Sequence, residues 1–187
     1  KTRERLNLFF STRDAHFKGT HKVNGVDTAP IEGLLDSIDM NGLYQGSPTK
    51  LFHGDLQFDN VICTDDSQFY LIDWRQDFGG IDVGDIYYDL AKMYGGLLMS
   101  YKLMKDPFNF SCSPSSCSNI EFKHKRTKAL KEFQYTYEKW IPLNGFCLNK
   151  VKNITALIFL NMAPLHQKEL GDLLFFKSKL MLNELLS

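Results

Sequence analysis

Asp55, Asn60 and Asp73 are the residues of this chain whose types and spacing could do chemistry. They lie in residues 52–74, FHGDLQFDNVICTDDSQFYLIDW, on two short apolar runs; Asn60 follows Asp55 by five positions and Asp73 follows Asn60 by thirteen. An acid, an amide and a second acid in that order can hold a hydroxyl group and magnesium ions around a polyphosphate. A carboxylate within hydrogen-bond reach of the hydroxyl can aim it and take its proton. Magnesium prefers hard oxygen ligands and takes few protein carboxylates. Asn60 offers a neutral carbonyl oxygen and Asp73 a charged one. The metal offsets charge on the transferring group, which leaves positioning and electrostatics to the protein. The expected chemistry is phosphoryl transfer from ATP to a hydroxyl.

The elements that must position these residues are readable in outline. Val61–Cys63 and Phe69–Ile72 are short β-like runs, and Thr64-Asp65-Asp66-Ser67 between them is turn chemistry. A hairpin there brings Asn60 and Asp73 to one end, with Cys63 in a buried strand. Residues 75–84 form a Gly- and Asp-rich loop at the mouth of the site. From Asp85 to about Tyr101 the period is helical, with Ile86, Leu90, Met93, Tyr94 and Leu97 on one face.

The pattern H-x-D-x-x-x-x-N, followed by a strand ending in I-D-W, resembles the catalytic segment of protein-kinase-like enzymes. The Gly of His53-Gly54-Asp55 and Trp74 after Asp73 bring it closer to the aminoglycoside phosphotransferase and choline kinase family. Gly84-Asp85-Ile86-Tyr87-Tyr88-Asp89-Leu90-Ala91 is similar to that family's D-x-x-x-D-[LI]-A segment, which opens a helix. The resemblance implies a catalytic role for Asp55, as base or as the group that orients the acceptor. It implies magnesium ligation by Asn60 and Asp73, with ATP as phosphate donor, and a bracing role for His53. Asp85 would cap the helix and tie it to the loop, with Asp89 as further support. Two departures stand out. Gln57 occupies the position where many serine/threonine kinases use Lys, so it can donate a hydrogen bond but brings no charge. Arg75 follows Asp-Trp where protein kinases have Gly, so a flipping metal-binding loop is not expected.

Kinase-like enzymes bind ATP between two lobes, the smaller supplying a nucleotide-covering loop and a phosphate-gripping Lys. The 51 residues before Phe52 show no Gly-rich turn between strands and no V-A-I-K-like strand. The expectation is therefore an α+β, mostly helical C-terminal lobe of a protein-kinase-like fold over residues 1–187. A small hairpin would carry the catalytic and metal-binding residues. The N-terminal nucleotide lobe would be missing from this chain, and the fragment alone inactive. The remaining segments read as a helix over 1–17, a loop over 18–28 and a helix opened by Pro30. Beyond the Asp85 helix come a loop over 105–119 and helices over 121–140, 150–162 and 166–186.

The family's acceptor pocket lies between the catalytic loop and the helices that follow. Here that region includes Asp77, Asp82, Tyr87 and Tyr88, with Tyr137 and Trp140 as further candidates. Rings favour a quaternary ammonium such as choline through cation–π attraction, carboxylates favour the amino groups of an aminoglycoside, and the mixture also suits a sugar. Formal net charge is zero, so bulk charge gives no support for nucleic acid or an anionic membrane. The basic run Lys123-His124-Lys125-Arg126 reads as a solvated helix face. The longest apolar stretch, residues 154–165, is interrupted by Asn161 and Pro164 and falls short of the ~20 residues of a membrane span. Cys63, Cys112, Cys117 and Cys147 read as free thiols of a reducing cytoplasm. Two other classes remain open, a pseudokinase and a helical interaction module without turnover. Intact Asp55, Asn60 and Asp73 argue against the first.

Overall fold

A computed structural model describes residues 1–75, 83–114 and 118–187. In chain order its elements are α1 (Thr2–Phe10), β1 (His21–Val23), β2 (Val26–Thr28), α2 (Ile31–Ser37), α3 (Met40–Tyr44), β3 (Pro48–Thr49), β4 (Val61–Cys63), β5 (Phe69–Leu71) and β6 (Gly84–Asp85). There follow α4 (Ile86–Leu98), α5 (Tyr101–Met104), β7 (Phe110–Pro114), β8 (Asn119–His124), α6 (Lys128–Leu143), α7 (Leu148–Met162) and α8 (Lys168–Leu186). The class is α+β and mostly helical, as expected. Among the described residues no helix is long and apolar enough to cross a membrane.

The chain divides into two compact units. The first comprises Lys1–Met40, Met104–Lys125 and Ala156–Ser187. It holds a four-stranded sheet of order β2-β1-β8-β7, in which β1 pairs antiparallel with β2 and parallel with β8. This sheet corrects three expectations. Residues 18–28 are not a plain loop but close a hairpin on Asn24 and Gly25, both at positive φ (48° and 84°), the backbone that an Asn-Gly turn supplies. Residues 105–119 contain β7. The helix expected from Glu121 starts only at Lys128, because Ile120 and Phe122 are buried while Glu121 and Lys123 are exposed. That is a period of two, so the basic run lies at the end of a strand and in the link after it. The Asn24 side chain extends the sheet, donating to Phe122 O and accepting from Phe122 N. The expected helix over 1–17 ends at Phe10, with a 3-10 turn at Ala15–Lys18. Buried Phe9 stacks on Phe175 with ring centroids 4.6 Å apart.

Within this unit Lys179 is fully buried on α8. Its Nζ donates to Gly19 O at 2.7 Å and meets His21 Nδ1 at 2.6 Å. Burial pushes the Lys179 ammonium down to about 8. Burial first, and then the Lys179 charge and His16, pull His21 from its ordinary 6.5 down to about 4. His21 is thus neutral in the folded chain, while the unfolded chain binds a proton below pH 6.5. Stability is therefore expected to fall as pH drops from 6.5 toward 4. Urea unfolding at pH 7, 5.5 and 4.5 checks this, with His21→Gln flattening the dependence.

The second unit comprises Asn41–Leu103 and Arg126–Thr155. It holds two small antiparallel sheets, β3-β6 and β4-β5. Leu90, Ala91, Tyr94, Leu97, Ile141 and Val151 are buried in it. Of the face expected on α4, Leu90, Tyr94 and Leu97 are buried, and Ile86 and Met93 are partly so. Asp85 caps α4 by accepting from Tyr87 N at 3.0 Å. Buried Thr155 donates to Ala91 O and Val151 O. The sequence Asn153-Ile154-Thr155 therefore lies in a packed helix, unlike the surface loop that glycosylation needs.

Candidate active site

The His53-Gly54-Asp55 loop is held by its backbone. Asp89, 2% exposed, accepts from His53 N at 2.7 Å through Oδ2 and from Gly54 N at 2.9 Å through Oδ1. Burial raises the Asp89 carboxyl above its usual range, and these N–H groups pull against that rise. Asp85 accepts from Ser47 N besides capping α4. The tie between helix and loop expected of Asp85 is thus made by Asp89, one helical turn further on.

His53 braces the loop against the strand that leads to Asp73. Its Nε2 donates to Ile72 O at 2.9 Å, and its Nδ1 accepts from Asp55 N at 3.2 Å. Its carbonyl accepts from Arg75 N at 2.9 Å, and Trp74 packs on its ring at 4.8 Å. With both ring nitrogens engaged, its geometry is that of a support. Gly54 has φ +80°, and a Cβ there would lie 2.8 Å from Arg75 Cβ. Both the left-handed backbone and this close approach require glycine.

The hairpin pairs Val61 with Leu71, Ile62 with Tyr70 and Cys63 with Phe69. Ile72 N donates to Asn60 O at 3.0 Å and extends the ladder by one position. Asn60 therefore stands opposite Ile72, the residue before Asp73. Asn60 is buried, and its Nδ2 donates to Asp55 O at 2.9 Å. This fixes the amide with Oδ1 as its open side. Asp73 is exposed with φ 59°, a left-handed conformation uncommon outside glycine. One expectation fails here: Cys63 is exposed, as are Phe69, Tyr70 and Ile72. An apolar run bounded by turn residues does not reveal which of its faces is covered.

Asp55 lies in a dense set of polar groups. Lys92 Nζ is 2.6 Å from its Oδ1, with the two side chains 11% and 20% exposed. This is an ion-pair contact, and among the described residues Oδ1 makes no aligned hydrogen bond. Gln57 Nε2 donates to Oδ2 at 3.4 Å, a long bond. The hydroxyls of Tyr88 and Tyr101 are both raised, by burial first and then by neighbours that include the Asp55 charge.

Lys92 and Tyr101 were missed by sequence reasoning. Lys92 follows Asp89 by three positions on α4, a spacing that puts both on one face; Tyr101 gave no signal. Tyr88 lies close enough to Asp55 to feel its charge. Tyr87 belongs to the packing instead: it is buried, its hydroxyl accepts from Cys147 N, and Lys150 Nζ lies 4.5 Å over its ring. Asp77 and Asp82 lie outside the described residues, as does Cys117. Tyr137 and Trp140 stack at 5.9 Å and, with Phe58, Met93, Leu97 and Phe133, line an apolar groove of about 400 Å³.

Asn60 and Asp73 present one amide oxygen and one carboxylate, a donor set that suits a hard cation retaining several waters. Among the described residues no three His, Cys, Asp or Glu side chains converge on a metal position. That is compatible with an Asn–Asp pair, which needs no third such ligand. Comparison with curated proteins and with solved structures gives no match. The sequence model described as the phosphotransferase enzyme family matches residues 26–105. That span contains the His53-Gly54-Asp55 loop, the hairpin and α4. The segment that carries the candidate site is thus similar to the phosphotransferase enzyme family.

Proposed function

We propose that the protein is a small-molecule kinase that moves the terminal phosphate of ATP to a hydroxyl of a metabolite. The observation that carries this reading is the mounting of Asp55. Asp89 holds its loop by two backbone N–H groups, His53 ties the loop to the strand before Asp73, and Asp55 Oδ2 is met by Gln57 only at a long 3.4 Å among the described residues. Asp55 accepts the acceptor's proton, and Gln57 steadies its second oxygen. Asn60 and Asp73 would hold magnesium, which when bound offsets negative charge on the transferring group. His53, Asp85 and Asp89 keep these groups in register. The chain acts as the C-terminal lobe of a kinase-like fold.

The aromatic groove starting at Phe58, three residues after Asp55, supports an acceptor with an apolar or quaternary-ammonium part. Choline leads on that ground, ahead of sugars and aminoglycosides. The test is phosphate transfer from labelled ATP by the protein, with choline, ethanolamine, aminoglycosides and sugars as acceptors. Magnesium-dependent, acceptor-dependent product is expected. Absence of product with all of them, together with absence of magnesium-dependent ATP binding, overturns the reading.

A further inference from the structure

We propose that Lys92 is a further catalytic residue, its ammonium held against Asp55 so that it meets the negative charge of the transferring phosphoryl group. The inference rests on the phosphotransferase reading of Asp55. Its starting point is a departure noted in the sequence: the loop carries neutral Gln57 where many kinases carry a cation. The structure supplies a cation at the same carboxylate from another element, α4, with Lys92 Nζ 2.6 Å from Asp55 Oδ1.

Stability does not account for a charge at this position. Lys92 is only 11% exposed, and it stands on a helix whose neighbouring Leu90, Ala91 and Tyr94 are buried. An apolar residue of similar size would pack there without the desolvation that a buried ion pair costs. Lysine carries three N–H donors. Asp55 faces one of them, and among the described residues no hydrogen bond engages the other two. On the carboxylate, Oδ2 receives the long 3.4 Å bond from Gln57. The pair therefore retains donors for anionic oxygens on one side and an acceptor for a hydroxyl proton on the other.

The two groups also share one rigid mount. Asp89 fastens the backbone of the loop to α4, and Lys92 rises from the same helix face three residues later. A cation fixed before the reaction is worth most where charge develops away from water. The step balances as follows. The acceptor oxygen forms a bond to phosphorus as the bond to the leaving diphosphate breaks. The hydroxyl proton passes to Oδ2 of Asp55, and Lys92 remains protonated throughout.

The test compares Lys92→Met, Lys92→Arg and the double variant Lys92→Met/Gln57→Lys, each with its melting temperature. Lys92→Met is expected to lower kcat about 10²–10³-fold, the loss typical of one preorganised donor, with KM for the acceptor little changed. Adding Gln57→Lys is expected to recover at least about tenfold, because it returns an ammonium to the other oxygen of Asp55. An unchanged kcat in Lys92→Met overturns the proposal. So does a loss that neither Lys92→Arg nor Gln57→Lys repairs, since missing packing would then be the cause. Calorimetric binding of magnesium tripolyphosphate separates this from failure of the phosphotransferase reading. In a protein that transfers phosphate to no acceptor, weaker tripolyphosphate binding by Lys92→Met keeps the cation and removes the enzyme. Equal binding in that protein removes both.

Discussion

Asp55→Asn is expected to lower phosphate transfer about 10²–10⁴-fold, the usual contribution of a positioned general base, while the protein keeps its helical content and unfolds cooperatively. The amide has nearly the shape of the carboxylate, so the backbone bonds that hold the loop survive: His53 and Gly54 N–H to Asp89, and Asp55 O to Asn60 Nδ2. An amide oxygen can still face the Lys92 ammonium, but the side chain can no longer take a proton from the acceptor. The loss should fall on kcat, with KM for ATP changed much less. Steady-state kinetics beside circular dichroism and a melting curve check this. Activity within about threefold of the parent would remove Asp55 from the role of base, since a base is worth at least about a hundredfold.

Asp89→Ala is expected to damage stability and turnover together. It strands two buried N–H donors, those of His53 and Gly54. A buried donor left without an acceptor costs about 1–3 kcal/mol. The pair thus removes about 2–6 kcal/mol from a stability that for a domain is commonly about 5–15 kcal/mol. In a chain of this size that is a drop of roughly 5–20 °C in melting temperature. The loop then loses its mount, and a displacement near 1 Å can cost about a hundredfold in rate. Asp89→Asn keeps one acceptor oxygen and should fall between. A melting point for Asp89→Ala within about 2 °C of the parent, a shift worth less than about 1 kcal/mol, would show that the loop is held by other means.

The hairpin was legible: the turn residues at 64–67 join the two strands that carry Asn60 and Asp73 at one end. Asp55, Asn60 and Asp73 remain a candidate set, chosen for residue type at fixed spacing. The partners of these residues were harder to read. Asp89 was expected as support beside Asp85, and only the folded loop shows that its two oxygens serve two backbone N–H groups. Lys92 drew no reading at all, because the contact that distinguishes it crosses 37 positions of sequence to Asp55. Elements failed differently. Asn24-Gly25 is a hairpin signal that went unused, and alternation at Ile120-Glu121-Phe122-Lys123 was read at the helical period. In both places the strand is short, so the local pattern alone was thin.

The left-handed backbone at Asp73 governs which replacements at that position can be interpreted. Asparagine adopts such a conformation at least as readily as aspartate, whereas alanine and branched residues resist it. With alanine, any altered response to magnesium would mix a vanished charge with a rearranged chain at the end of the hairpin. With asparagine the main chain is left as it was, and the negative charge is the principal thing subtracted.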